Sequence, residues 1–433
     1  GNDDIYLDNI TLTKTLQTNP DKTIASLKDT YKDVFPIVGV GAGIASILGK
    51  NGSKFISQQY NAVTPGNEMK PDAILGSTVG KLVKPTDEVS ADKTDFITVE
   101  DAKSMGYIIP DNYTSYDDNR FKSATGEYAV PRLNFDNVDK LMKAAHDNGV
   151  KLRGHTLVWH QQTPKYFFQQ NYKITTGQKY NTSKECMDTR LEFYVKTVMN
   201  HVLSSEYADC LYSYDVVNEY LHSANAEKDS KNTTYWGLIY GTYDKSVKDH
   251  GVTLRPSYVK DAFKYAHEML VKYDCLDVKL IYNDYNCYQN PENIIHLVDY
   301  INSDGKVCDG IGMQSHLDIT DSFHSATNYA KALEYFRLNC PDLEIQITEL
   351  DATMVSTEDK PLTDEDQAAY YDQIMNAILT NKKNGGNITA LIIWSLYDGV
   401  SWRPAKFPCL FNGLYMPKAA FYAVIDAKKQ YWD

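Results

Sequence analysis

Residues 213–219 read Ser-Tyr-Asp-Val-Val-Asn-Glu, a short buried-strand pattern that ends in an amide and a carboxylate. Residues 344–351 repeat the arrangement, because apolar side chains alternate along Glu-Ile-Gln-Ile-Thr before Glu349 is reached. A strand end is a rigid support for reactive side chains. If both strands belong to one parallel barrel, Glu219 and Glu349 point into the same mouth.

Segments of this kind alternate with helical patterns along the rest of the chain. We count eight strands, which are predicted to begin near residues 35, 61, 151, 213, 279, 310, 344 and 390. Asp136 is predicted to cap one of the helices, and Thr363 with Asp366 to form a capping box on another. Strands separated by helices form right-handed βαβ units on a parallel sheet. The predicted fold class is therefore α/β, a (β/α)8 TIM barrel.

An open doubly wound sheet is the less favoured alternative. Its dinucleotide-binding members carry a longer glycine-rich turn than the Gly-Val-Gly-Ala-Gly of residues 39–43. We therefore predict no cofactor.

Two segments lie outside the repeat. Residues 1–14 contain a strand pattern without a hairpin partner nearby. The barrel domain is predicted over residues 22–433, with an insertion after the second strand at about residues 76–130. This connection is far longer than a usual βα loop, yet it is too short for a second domain with its own core.

Composition restricts the partners. A net charge of −13 and a pI near 5.3 argue against nucleic acid and anionic membranes, and a neutral substrate fits better. No apolar run approaches the roughly 20 residues of a bilayer span. The first residues lack a signal-peptide pattern, so we expect an export signal to have been removed or never present. The seven cysteines have no CxxC spacing, which predicts free, buried thiols.

Polar and aromatic side chains gather at the predicted strand ends. They are Asn67, Glu68, Lys70, His155, Trp159, His160, Asn218, Glu219, Asn283, Tyr285, Gln314, His316, Glu349, Asp351, Trp394 and Trp402. Each has a structural explanation when taken alone. Their recurrence at one end of nearly every strand indicates a site, because buried polar groups cost stability when they lack partners.

Three classes of chemistry compete for these residues. His155, His160, His316 and Glu349 contain metal-ligand types, but five-residue spacing puts the first two on opposite faces of a strand, and no HExxH motif occurs. We predict no metal. A GxSxG serine elbow is also absent. Two carboxylates with tryptophans favour glycoside hydrolysis, in which one carboxylic acid protonates the leaving oxygen while the other attacks or activates water.

Several ordered motifs carry a family resemblance. They are Arg153–His160 (RGHTLVWH), Asp215–Glu219 (DVVNE), Asn283–Asn286 (NDYN), Gln314–His316 (QSH), Ile347–Asp351 (ITELD), the pair Trp394 and Trp402, and Phe411–Lys418 (FNGLYMPK). From about Ser26 to the last helix, the chain resembles the glycoside hydrolase family 10 endo-β-1,4-xylanases. The resemblance implies endo-acting, retaining hydrolysis of xylan and xylo-oligosaccharides, by a monomer that is secreted or held at the cell surface.

The resemblance also implies a role for each matching residue. Glu219 resembles the general acid/base, and Glu349 the nucleophile that His316 and Asp351 orient and charge. Gln314 would lie near the carboxylates. Asn218 would contact the sugar 2-hydroxyl. Lys70, His155 and Trp394 would line subsite −1, supported by Trp159, and Asn67 and Gln162 would contact the sugar in subsite −2. Trp402 would form an aromatic wall, and Tyr285 a platform on the leaving-group side.

Departures from the family pattern are few. Gly66 stands where the family usually has a glutamate that binds at −2, and Tyr214 and Asn412 replace a usual Trp and Asp at places that look structural. The strand within residues 1–14 is similar to the closing strand of a carbohydrate-binding module, so it is interpreted as the remnant of an upstream one.

Two rival functions stay open at this point. One is another two-glutamate barrel hydrolase, such as an endoglucanase. The other is a non-catalytic sugar-binding barrel, which would be expected to lack one carboxylate. For the favoured hydrolase we expect the negative charge of Glu349 to raise the pKa of Glu219, and a hydrogen bond from His316 to favour the ionised form of Glu349.

Overall fold

The computed structural model describes residues 23–76, 96–115, 128–172, 181–223, 234–355, 361–413 and 415–433. The strands are β1 (Ile37–Ala42), β2 (Ala62–Pro65), β3 (Phe96–Thr98), β4 (Ala129–Pro131), β5 (Lys151–Trp159), β6 (Leu211–Asn218), β7 (Lys279–Asp284), β8 (Gly310–Met313), β9 (His316–Asp318), β10 (Glu344–Thr353) and β11 (Ile388–Trp394). The α-helices are α1 (Leu27–Tyr31), α2 (Ile44–Leu48), α3 (Lys50–Gln59), α4 (Pro71–Leu75), α5 (Val99–Ser104), α6 (Asp136–Asp147), α7 (Lys184–Ser204), α8 (Tyr235–Tyr240), α9 (Ser257–Tyr273), α10 (Pro291–Ile301), α11 (Ala326–Asn339), α12 (Asp364–Lys383) and α13 (Ala419–Tyr431).

Parallel strands close into a barrel in the order β1-β2-β5-β6-β7-β8-β10-β11, and β11 pairs back with β1. The predicted (β/α)8 fold is confirmed. Each of the eight predicted strand starts lies within two residues of an observed one, and the offset reaches two residues at β1, β6 and β11. The barrel strands are buried along nearly their whole length, as is usual for parallel strands, so runs of mostly apolar residues mark their positions in the sequence.

Amphipathic helices surround the barrel. Helix α6 buries Val138, Leu141, Met142 and Ala145, a face with the spacing of a 3.6-residue period. The Thr363–Asp366 capping box on α12 is present as predicted. The prediction that Asp136 caps α6 is wrong, because Phe135 occupies the N-cap and Asp136 is already the first helical residue.

Strand β9 departs from the predicted pattern and matters for the site. The sequence suggests one strand through His316, but β8 ends at Met313, and Ser315 then takes a left-handed φ of 64°. The chain re-enters as β9, which pairs with the far end of β10 and sets His316 beside Asp351. This break carries His316 beyond the barrel wall to the mouth.

The insertion after β2 has secondary structure of its own in its described part. Strands β3 and β4 pair antiparallel, and α5 lies between them in the chain. The backbone N–H of Ile108 donates to Thr197 Oγ1 on α7 at 3.0 Å, which ties the segment to the barrel. Residues 77–95 and 116–127, like the strand predicted within residues 1–14, lie outside the described residues.

Two barrel glycines make room for large rings. A Cβ at Gly41 would stand 2.3 Å from the Trp394 ring, and one at Gly154 would stand 2.4 Å from the ring of the fully buried Tyr214. The glycines near the first strand therefore serve packing.

Two further properties of the fold concern disulfide bonds and membrane-spanning helices. All seven cysteines lie in the described ranges, none of them forms a disulfide bond, and six of them are buried. None of the helices in the described part of the chain combines the length and the apolar character needed to cross a bilayer.

Candidate active site

A cavity of about 730 Å³ opens where the barrel strands end. Of the fourteen predicted site residues, thirteen line it: Asn67, Lys70, His155, Trp159, Gln162, Asn218, Glu219, Tyr285, Gln314, His316, Glu349, Trp394 and Trp402. The remaining one, Asp351, is fully buried behind His316. The structure thus brings the whole predicted set together at one mouth, as a parallel barrel dictates.

Glu349 lies within β10, which continues to Thr353 instead of ending at the glutamate as the sequence predicted, and only 4% of its surface is exposed. Its Oε1 accepts a hydrogen bond from Asn283 Nδ2 at 2.9 Å, and its Oε2 lies 3.1 Å from His316 Nε2. Burial raises the pKa of Glu349, but the hydrogen bond from His316 and the electrostatic effects of His155 and His316 outweigh burial and bring the pKa to about 2. The carboxylate is therefore ionised at neutral pH.

His316 is held between two carboxylates. Its Nδ1 lies 2.8 Å from Asp351 Oδ1, while Nε2 faces Glu349, so both ring nitrogens donate when the ring is protonated. Burial lowers the pKa of His316, yet the Asp351 charge and the hydrogen bonds raise it to about 10. Trp402 Nε1 donates to the second oxygen of Asp351 at 2.8 Å and fixes that carboxylate.

Glu219 follows β6 directly and is 7% exposed. Trp159 Nε1 donates to its Oε2 at 2.8 Å, and Gln314 Nε2 donates to its Oε1 at 2.9 Å. Burial is the largest cause of its raised pKa, and among the nearby charges Asp284 ranks above Glu349. A raised pKa of Glu219 agrees with the sequence prediction. The negative charge of Glu349 contributes to this raised pKa, but burial is its main cause.

Asn218 and Asn283 connect the two carboxylates. Neighbouring strands pair these residues side by side, and Asn283 Nδ2 donates both to Asn218 Oδ1 and to Glu349, each at 2.9 Å. Gln314 Nε2 reaches the same Asn218 oxygen at 3.1 Å while bonding Glu219. The resemblance assigned no role to Asn283, although this residue is among the polar side chains at the predicted strand ends and stands in the Asn-Asp-Tyr-Asn motif.

A buried ion pair lies below this layer. Arg153 donates to both carboxylate oxygens of Asp215, one of them through Nε at 3.0 Å. His155 Nδ1 lies 2.8 Å from Asp215 Oδ2, so Asp215 fixes the ring that lines the cavity above. Arg153 and Asp215 were not among the predicted site residues, although both stand in quoted motifs. A charged residue inside an apolar strand pattern is the signal that could have found them, because such a residue needs a buried partner.

A family model described as "Glycosyl hydrolase family 10" matches residues 26–427. The chain belongs to glycosyl hydrolase family 10. The family suggested by the motifs is therefore confirmed, and the protein is a glycoside hydrolase.

Named relatives of this family 10 enzyme are xylanases. It is 39% identical over 373 residues to endo-1,4-beta-xylanase A of Butyrivibrio fibrisolvens, covering 86% of this chain and 77% of the relative. It is 30% identical over 408 residues to a bifunctional endo-1,4-beta-xylanase of Ruminococcus flavefaciens, covering 93% of this chain but 34% of the relative.

Among solved structures, the chain is similar to the N-terminal endo-1,4-beta-D-xylanase modules of Clostridium thermocellum in complex with xylohexaose. The TM-score is 0.68 at 26% identity, over 94% of this chain and 67% of the other.

One side of the family 10 cavity carries the residues that the resemblance assigns to the −1 and −2 subsites. Lys70 Nζ donates to Asn67 Oδ1 at 3.2 Å and lies 4.9 Å from the centre of the Trp159 ring. Gln162 Nε2 donates to Asp72 Oδ2 at 3.2 Å. Gly66 lines the cavity as well, and a Cβ there would meet no atom within 4 Å.

Other parts of the cavity are bounded by aromatic rings. Trp402 is 52% exposed, and the Arg403 guanidinium stacks on it at 3.8 Å from the ring centre. Tyr285 follows β7 and stacks on His222. Trp402 and Tyr285 both line the cavity.

Left-handed backbone follows three of the strands that carry the site. Glu219, Ser315 and Ser395 have φ values of 57°, 64° and 89°. Such conformations are costly for residues other than glycine and gather at functional sites. Here they turn the chain at the barrel mouth, and one of them sets the direction of Glu219.

Proposed function

We propose that this family 10 enzyme is an endo-acting, retaining β-1,4-xylanase with Glu219 as acid/base and Glu349 as nucleophile. The observation that carries the proposal is the pair of carboxyl groups in one cavity whose pKa values are displaced in opposite directions. Two groups with such displaced pKa values suit the acid and the base of one reaction. The presence of both carboxylates argues against a non-catalytic sugar-binding barrel.

The first step needs a protonated Glu219 and an ionised Glu349 at the same time. Glu219, whose pKa is raised mainly by burial, donates its proton to the glycosidic oxygen as the bond to the anomeric carbon breaks. The ionised Glu349 attacks the same carbon from the opposite face and forms a glycosyl-enzyme ester. Asn283 and the protonated His316 keep the attacking oxygens oriented.

The second step reverses the proton transfer. Glu219, now ionised, removes a proton from water, and the hydroxyl oxygen attacks the anomeric carbon while the bond to Glu349 breaks. Two inversions at one carbon give a product with the starting configuration.

Similarity to named proteins supports xylan as the substrate. The relatives above are named endo-1,4-beta-xylanases, and one structure holds xylohexaose. With xylan as the substrate, Asn218 contacts the sugar 2-hydroxyl. The sugar in subsite −1 is surrounded by Lys70, His155 and Trp394, and Trp402 forms an aromatic wall of the cavity. Xylan is a polymer outside the cell, so we propose secretion or cell-surface display. A monomer remains a prediction.

Release of reducing ends from xylan, compared with carboxymethylcellulose, tests the substrate. We expect activity on xylan to exceed activity on carboxymethylcellulose by orders of magnitude, with Glu349→Ala as the control for contaminating activity. Dominant activity on carboxymethylcellulose would support the rival endoglucanase and overturn the proposal.

Proton NMR of the first-formed product tests the mechanism. We expect the β-anomer to accumulate before mutarotation. An α-anomer at the earliest times would exclude the two-step mechanism.

A further inference from the structure

His222 lies just behind the cavity wall. It belongs to the turn that follows β6, three positions after Glu219, and its side chain is 10% exposed. It does not line the cavity itself, but Tyr285, which does, lies against it. The two rings are stacked, with 3.8 Å between centroids and 26° between planes.

Asp284 fixes both rings. His222 Nδ1 lies 2.7 Å from Asp284 Oδ1, and the backbone N–H of Tyr285 donates to the same oxygen at 2.9 Å. The Tyr282 hydroxyl donates to the other carboxylate oxygen and accepts from the backbone N–H of Leu221 at 3.1 Å. The turn after β6 and the end of β7 are therefore joined by one buried hydrogen-bond network.

Asp284 is also the main electrostatic partner of His222. Burial lowers the pKa of His222, but the charge and hydrogen bond of the fully buried Asp284 more than offset that effect and raise it. The ring gives the carboxylate a hydrogen-bonded partner, without which a buried charge is costly. The ring of His250 packs edge-on against the other side of His222, with 5.1 Å between centroids.

We propose that His222 is a positioning residue that holds Tyr285 as the platform for the sugar on the leaving-group side. The inference rests on the proposed function, since it needs a sugar beyond the cleaved bond. A platform that is already fixed loses little conformational entropy when a sugar stacks on it. The effect of His222 therefore depends on whether the substrate has a sugar at that place.

Two substrates separate this role from a general effect on the fold. Xylopentaose places sugars on both sides of the cleaved bond, whereas the leaving group of xylobiosyl fluoride is a single atom that does not reach Tyr285. We expect His222→Ala to lower kcat/KM on xylopentaose roughly five- to tenfold, mainly through KM, and to change xylobiosyl fluoride hydrolysis less than about twofold.

Three further variants sharpen the test. His222→Phe keeps a ring under Tyr285 and should recover most of the xylopentaose activity, whereas His222→Asn keeps a donor for Asp284 without a ring and should recover less. Tyr285→Ala should show the same dependence on substrate as His222→Ala. His201→Ala is a matched control, because His201 also stacks on an aromatic ring (Phe135, 3.8 Å) and pairs with a carboxylate (Asp139, 2.6 Å), but it lies on the outer helix α7.

Equal losses on both substrates in His222→Ala would overturn the inference, as would unchanged xylopentaose kinetics. His222→Phe performing no better than His222→Ala would also overturn it. Thermal unfolding of each variant identifies those that fail to fold. If His222→Ala does not fold, the two substrates are compared with His222→Asn, which also lacks the ring. A wild-type enzyme that cleaves no xylo-oligosaccharide would instead refute the proposed function, before any variant is compared.

Discussion

Glu219 and Glu349 are the same residue type, in one cavity, with nearly equal burial, and yet their pKa values move in opposite directions. Each accepts hydrogen bonds from two side chains of the described chain. The donors differ, however, because Trp159 and Gln314 are neutral, while Glu349 faces His316, which Asp351 holds protonated. The charge of the donor, rather than the number of hydrogen bonds, decides which glutamate keeps its proton.

Removal of each carboxylate gives the largest effect. Glu349→Ala should abolish turnover on every substrate, because no nucleophile remains. Glu219→Ala should lower xylan hydrolysis roughly 10²–10⁴-fold, but spare much more activity on aryl xylobiosides with good leaving groups, which need little protonation. Steady-state and burst kinetics on both substrates measure the difference. Equal losses of Glu219→Ala on xylan and on the activated glycoside would contradict the assignment of acid and nucleophile.

Neutralising the charged donor should shift the acidic limb of the pH profile. Glu349 must be ionised to attack, and its pKa is held low by His316, so His316→Asn should move the acidic limb of kcat/KM upward by about 1–2 pH units. The His316→Asn enzyme should therefore lose activity at low pH and keep more of its activity near neutral pH. His324→Asn is the control, since His324 lies in the same cavity but accepts from the backbone N–H of Asp318. An unshifted limb in an active His316→Asn enzyme would show that the donor's charge is not what matters.

The alkaline limb reports Glu219, and its pKa can be followed directly by carboxyl-carbon NMR. In Glu349→Gln the neighbouring negative charge is removed, so the pKa of Glu219 should fall. It should nevertheless stay above the value near 4.3 of a free glutamate, because burial and the Asp284 charge remain. A fall to the free value would make Glu349 the main cause, and a rise would rule out repulsion between the two groups. The macroscopic values belong to the coupled pair.

The smallest expected effect concerns the −2 side, where Gly66 stands in place of the family's usual glutamate. A side chain fits there, and Gly66→Glu should lower KM for short xylo-oligosaccharides roughly two- to tenfold through new hydrogen bonds. Gly66→Gln introduces a side chain of equal size without charge. Comparing the two variants shows whether a charged partner binds the sugar better than a neutral one at this subsite. An unchanged or higher KM in a folded Gly66→Glu enzyme would indicate that Asn67, Gln162 and aromatic stacking already saturate binding.

Local sequence patterns predicted most of the fold. They failed where another interaction or backbone conformation replaced the one that the local pattern favoured. The eight strands follow from short runs of mostly apolar residues between helical patterns, and the Thr363–Asp366 box is a purely local signal. At Asp136 the rule identified the correct helix but the wrong cap, because the Asn134 side chain takes the backbone N–H of Asp136 and the helix begins one residue earlier. The break between β8 and β9 was missed, since nothing in the sequence near Ser315 requires a left-handed turn.

The sequence by itself determined the barrel, the two glutamates and the residues that surround them, because strand periodicity and ordered motifs are written along the chain. Only the tertiary structure decided which interactions cause the two glutamates to differ in pKa. The contacts responsible join distant residues, such as Gln314 with Glu219 across 95 positions and Asn283 with Glu349 across 66. Burial and electrostatic interaction depend on distances in space, so the main cause of the raised Glu219 pKa, the bridging role of Asn283 and the stacking of His222 on Tyr285 appear only once the strands have closed.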